Sequence, residues 1–144
     1  MADPLSIAAG LVGIVVPALH ATRLLLDDLQ KISEAPSTVE TLRQDVGFLE
    51  ATLKSLETVS QPEWTALGAT VAQQSSIAIT CCTKSCIEFR TDLQRWTRHS
   101  DEGDISWRDR ASLGLFRQNQ IKAMSEQLQK YRASLNLVVS TATL

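Results

Sequence analysis

Three cysteines, Cys81, Cys82 and Cys86, fall within six residues, and the only histidines are His20 and His99. These residue types ligate metals, form disulfides and act as nucleophiles. Cys82 and Cys86 stand four apart, which puts both on one face of a helix. A zinc site needs four ligands, however, and neither histidine is near in sequence, so no metal is expected. Cysteines this close, and odd in number, make no disulfide framework; they are expected as reduced thiols of an intracellular protein, packed as small core residues. A di-metal carboxylate site needs Glu-x-x-His, but Pro17 precedes His20 by three and Trp96 precedes His99 by three. Gly10 and Gly13 lack the Lys-Ser/Thr of a phosphate loop, and no serine occupies a nucleophile elbow. His20, on an otherwise apolar face, is expected as a hydrogen-bonded core or boundary residue. No catalytic set emerges, so neither an enzyme nor a cofactor is expected.

The elements that would position any site are helical. With 144 residues the chain has the size of one domain, or of the front part of a longer protein. Six glycines and four prolines are too few to punctuate many strands. Fourteen basic against sixteen acidic residues exclude nucleic acid as the main partner, because phosphate binding needs a concentrated basic surface. Four helices are expected, over about residues 4–33, 37–60, 62–99 and 105–141. Asp3 and Pro4 open the first, and Pro36 closes it. Ser37 or Thr38 is expected to cap the second, whose seam is Val39, Leu42, Val46, Leu49, Leu53, Leu56 and Ser60. Ser60 and Glu63 match a capping box for the third. That helix shows two seams, Trp64–Leu67–Val71–Gln74–Ala78–Cys81 and Cys82–Cys86–Phe89–Leu93–Trp96, whose offset predicts a bend near the cysteines.

The fourth helix carries Ile121, Met124, Leu128, Tyr131 and Leu135 at heptad spacing, a candidate oligomer seam. Trp64, Trp96 and Trp107 flank helix termini, as suits amphipathic rings at bundle ends. Arg90, Arg95, Arg98, Arg108 and Arg110, interleaved with acids, predict a solvated, salt-bridged tip. Short connections make sequential helices antiparallel neighbours. The expected fold is therefore all-α, an antiparallel four-helix bundle with a long hydrophobic N-terminal helix.

Helix one differs from the others. From Pro4 to Thr22 it has no Asp, Glu, Lys or Arg. Ile7, Leu11, Ile14, Ala18 and Leu25 make a seam, while Val12, Val15, Val16 and Leu19 fill the opposite side. A helix apolar all round is either enclosed by protein or exposed to lipid. A cleaved signal peptide fits poorly with the acidic Asp3 and with a first positive charge, Arg23, that follows the apolar run. A permanent membrane span is disfavoured by Pro17, by the alanine and glycine content, and by the seam continuing past Arg23 through Leu29. Gly10 and Gly13 are expected to let a neighbouring backbone approach closely.

The opening "MADPLSIAAGLVGIVVPAL" and the closing "ISWRDRASLGLFRQNQIKAMSEQLQKYRASLNLVV" resemble the fungal HeLo-like domain that precedes nucleotide-binding NLR-type (STAND) receptors. The resemblance spans essentially the whole chain. It implies a helical bundle similar to HeLo domains and to the mixed-lineage-kinase-like necroptosis effector, in which a hydrophobic, glycine-bearing N-terminal segment targets membranes once copies assemble. Carried over, that segment is Leu5, Ile7, Gly10, Leu11, Val12, Gly13, Ile14, Val15, Val16 and Leu19. The implied function is a non-enzymatic effector of fungal immune or programmed cell-death signalling, cytoplasmic at rest and moving to the plasma membrane on activation. Its implied partners are membrane lipids, further copies of itself, and a downstream receptor or amyloid-type module. The alternative is a helical oligomerisation or adaptor module without membrane activity.

Overall fold

A computed structural model describes residues 4–33, 36–96, 105–106 and 115–142. Among the described residues five helices form an all-α bundle: α1 (Pro4–Gln30), α2 (Ser37–Glu57), the short α3 (Gln61–Ala66), α4 (Ala69–Trp96) and α5 (Leu115–Ala142). His99, Trp107 and the charged tip around Arg98, Arg108 and Arg110 lie outside the described residues.

Several boundaries differ from expectation, each for a local reason. α1 stops at Gln30 rather than near residue 33. Arg43 of α2 takes over its end, donating from Nε to the Leu29 carbonyl at 2.9 Å and from a terminal nitrogen to the Ile32 carbonyl. Ile32–Ser33 (β1) is then extended and pairs in parallel with Ile105–Ser106 (β2). Residue 106 is therefore extended and does not begin the last helix. No hydroxyl caps α2: Pro36 occupies that position, and its carbonyl accepts from Val39 N and Glu40 N at 3.0 and 3.1 Å. The Ser60–Glu63 capping box is present, with Glu63 N donating to Ser60 Oγ and Ser60 N donating to Glu63 Oε1. These bonds favour the charged carboxylate and hold the Glu63 pKa below its ordinary value, the Ser60 amide contributing most.

The expected third helix is two helices. Gly68 adopts φ +96°, a left-handed conformation that ends α3 and that glycine enters without steric cost. Beyond it α4 is one continuous helix. Its buried residues, Ala72, Ser75, Ile79, Cys82, Cys86, Phe89 and Leu93, follow a single alternating spacing of three and four. The first of the two expected seams lies one residue off the true core line: Val71 and Ala78 flank the core, while Gln74 and Cys81 are exposed.

α1 packs on α2 and α4, and α5 packs on the same two helices, so α2 and α4 lie across a diagonal. Contacts give the directions. Arg23 meets Glu50 and Arg43 reaches Leu29, so α1 and α2 are antiparallel. Arg90 pairs with Asp28 and Cys86 lies 4.0 Å from Thr22 Oγ1, so α1 and α4 run parallel. α2 and α5 are also parallel: Gln129 Nε2 donates to Asp45 Oδ2 at 3.0 Å, and Thr52 Oγ1 donates to Asn136 Oδ1 at 3.1 Å, one heptad on. The expected alternation of direction therefore holds along the chain, but α2 and α4, though antiparallel, are not neighbours. The connection between those two contains α3, which crosses the end of the bundle against α1.

The core runs the length of the bundle. On α2 the expected seam from Val39 to Leu56 is buried, while Ser60 is exposed at its cap position. Asp45, which is not part of that seam, is also buried and is held by Gln129. A buried carboxylate with a partner on α5 makes the α2–α5 register specific, because losing Gln129 leaves the Asp45 carboxylate unsatisfied.

Candidate functional site

Among the described residues no group of three His, Cys, Asp or Glu side chains converges. Cys82 and Cys86 are buried free thiols and Cys81 is an exposed one. The hydrogen bond with Cys86 and burial both push the Cys82 pKa well above the ordinary thiol range, which keeps it protonated and unreactive. His20 is exposed, contrary to the expected core or boundary position, because it points away from the seam through Ala18, Leu25 and Leu29.

The feature that stands apart is the outer face of α1. Ala8, Leu11, Val15, Ala18, Leu19, Ala21, Leu25 and Leu29 are buried, whereas Val12 and Val16 are 45 % and 56 % exposed. The side expected to oppose the seam thus divides: at ~100° per residue, Val15 and Leu19 turn into the core and Val12 and Val16 turn out. Ile7 and Ile14 are half-buried, and Leu5 lies in the first turn. Beside the two valines the face carries Ala9, Gly10, Gly13 and Pro17, all exposed and uncharged as far as Arg23. Helix α1 from Ser6 to Gln30 is long and apolar enough to cross a membrane, yet only 39 % of its most apolar stretch is buried. Its 25 residues would extend about 37 Å at ~1.5 Å each, more than the hydrocarbon thickness of a bilayer.

α4 extends this surface. A groove of about 430 Å³ between α1 and α4 is lined by Ile14, Pro17, Thr80, Thr83, Lys84, Ile87 and Glu88. Ile87 is 54 % exposed and Ile77 58 %. Neither was singled out in the sequence, although both lie off the α4 seam, which is the signal that would have found them. Pro17 has no amide to donate to the Gly13 carbonyl, but both residues face outward, where water can satisfy that oxygen.

The polar tethers of α1 are unevenly placed. The described inter-helix bonds begin at Thr22: Arg23 Nε to Glu50 Oε1 at 3.5 Å, Arg90 Nε to Asp28 Oδ2 at 2.7 Å, and the Arg43 bonds at its end. The preceding turns are held by apolar packing.

A family described as "Pigment biosynthesis cluster protein PigL N-terminal" matches residues 2–144. The chain belongs to this family. It is a fungal HeLo-like domain family, and the long apolar α1 is what the HeLo-like resemblance leads one to look for. Nothing among curated proteins or solved structures matches the chain at significant similarity.

Two expectations for this PigL-type domain need correction. Ile121, Met124, Leu128 and Leu135 are buried and Tyr131 is half-buried, so the α5 seam is part of the bundle's own core and is not open to a second copy. Its heptad spacing reflects intramolecular packing against α2 and α4. No neighbour makes a close approach at Gly10 or Gly13 either. A Cβ at either position would meet nothing within 4 Å. In an exposed helix interior glycine costs backbone entropy without a packing return. Gly10→Ala and Gly13→Ala are each expected to stabilise the fold by about 0.5–1 kcal/mol. Together they should raise Tm by a few degrees in a thermal melt followed by circular dichroism; a lower Tm would show that a neighbour does need those positions bare.

Proposed function

We propose that this domain is a non-enzymatic effector module of fungal immune or cell-death signalling, whose α1 engages membrane when copies are assembled. The observation that carries the reading is the uncharged outer face of α1, with Val12 and Val16 exposed on a helix long enough to span a bilayer. A helix that served only as core would turn charge, not valine, toward water.

Magnitudes set the order of events. Leu11, Val15, Leu19, Leu25 and Leu29 are buried on α1. At ~1.5–3 kcal/mol per side chain, undocking them costs about 8–15 kcal/mol, as much as a whole domain's stability. A lone copy therefore keeps α1 docked. First contact with lipid falls to the outer face, and insertion follows only where lipid and neighbouring copies offset the lost core. One weakly apolar face binds lipid reversibly; several held together gain from effective concentration. A receptor or amyloid-type module elsewhere would supply that assembly.

The test is dye leakage from anionic liposomes by the domain fused to an inducible oligomeriser. Leakage is expected to rise steeply on induction and to stay at background for the monomer. Background leakage from a verified oligomer would sink the proposal.

A second reading, a helical adaptor without membrane activity, is favoured by a different surface. Leu137 is 73 % exposed beside a cleft between α4 and α5 lined by Leu67, Val71, Ala78 and Val138. A stable protein complex through that cleft, with silent liposomes, would select it. The family description ties its namesake to a pigment biosynthesis cluster, and an adaptor or effector part suits a module with no convergent acid, base or metal set among its described residues.

A further inference from the structure

The geometry points to α3 as a clasp on α1: Trp64 holds the N-terminal turns of that helix in the bundle, and its departure frees them while the rest stays folded. The proposal rests on the membrane reading for its consequence but not for its test.

Three observations carry it. First, α3 is an independent unit. It has six residues, opens at the Ser60–Glu63 capping box, closes at Gly68 with φ +96°, and bridges α2 to α4 across the end of the bundle. It packs chiefly on α1 and only lightly on α4. The antiparallel register set by Arg43 with Leu29 and by Arg23 with Glu50 runs on to place α3 beside the first turns of α1.

Second, Trp64 is the only buried residue of α3 and one of the largest fully buried side chains of the domain. The remaining residues of α3 are exposed or half-buried, so this ring is its one fully buried anchor. The ring is also imperfectly satisfied, because the buried Nε1–H has no hydrogen-bond partner. A buried donor left unpaired penalises the docked state and is repaid on exposure to water or to a lipid interface, where indole rings settle readily.

Third, the described inter-helix hydrogen bonds and ion pairs of α1 begin at Thr22. The turns under α3 therefore depend on apolar contacts, to which Trp64 contributes the largest ring. Lifting α3 uncovers them while Arg90–Asp28 and Arg23–Glu50 still anchor the far half. The helix would swing from a fixed end, its exposed valines leading.

The test is amide hydrogen exchange followed by segment in the whole chain, without lipid. In Trp64→Ala, exchange over residues 5–15 is expected to accelerate about 30- to 100-fold, with the α2 and α5 cores within about threefold of wild type. Trp64→Leu, which keeps apolar volume, should give a smaller acceleration confined to the same segment, and it carries the comparison if the alanine variant does not fold. Uniform acceleration of all helices, or unchanged exchange over residues 5–15, overturns the clasp. Because no lipid is present, failure here leaves the membrane proposal standing. Localised exchange with silent liposomes sinks the membrane proposal and keeps the clasp.

Discussion

Val12→Glu combined with Val16→Glu is expected to abolish clustering-dependent leakage while leaving the unfolding midpoint within a degree or two of wild type. Both valines are about half exposed on the outer face of α1. Substitutions at such positions change stability by about 0.5 kcal/mol or less. In a bilayer the same two positions must leave water. A carboxylate near the centre of a membrane helix costs ~2.5–3.5 kcal/mol, so the pair opposes insertion by about 5–7 kcal/mol. At 1.4 kcal/mol per factor of ten that is roughly four to five orders of magnitude in the inserted population. Liposome leakage and a thermal melt on the same preparation check both halves. Wild-type leakage from the double variant would remove this face from the mechanism.

Leu11→Glu, one residue away, is expected to do the reverse and destroy the fold. Leu11 is fully buried, so the substitution loses about 2–3 kcal/mol of burial and adds an unpaired carboxylate worth several more. The sum approaches the whole stability of a domain this size. A cooperative melt should be lost, or displaced far below that of wild type. Loss of leakage by Leu11→Glu would therefore report unfolding and not a membrane contact. If Leu11→Glu melted like wild type while Val16→Glu did not, the docked face of α1 would be the opposite one.

The contrast between these neighbours shows how far periodicity reaches. Along α2, the three-and-four spacing from Val39 to Leu56 marked the core face correctly, because polar residues on the other side left one way to dock it. The Ser60–Glu63 capping box was equally legible, since its two hydrogen bonds are local to four residues. On α1 the same method failed by half. With nearly every position apolar, pattern alone could not tell Val15 and Leu19, which are buried, from Val12 and Val16, which are not. On α4 the expected seam ran one residue early over its first half: Val71, Gln74, Ala78 and Cys81 stand where the core takes Ala72, Ser75, Ile79 and Cys82, because small and polar side chains there give the pattern little contrast. The α5 seam was found correctly as a face, but the pattern does not say whether a face packs within the chain or between chains.

Sequence by itself determined that this chain is an all-α bundle, where its helices broadly run, and that its first helix carries an uncharged stretch from Pro4 to Thr22. Those properties are set by composition, capping and spacing within a few turns. Only the tertiary structure decided that α1 packs directly on α4, that α3 crosses beneath it, and which side of α1 faces water. The reason is physical: each depends on which helices meet, and that follows from the path of the connection through Gly68 and from side-chain volumes on partner helices far away in the chain.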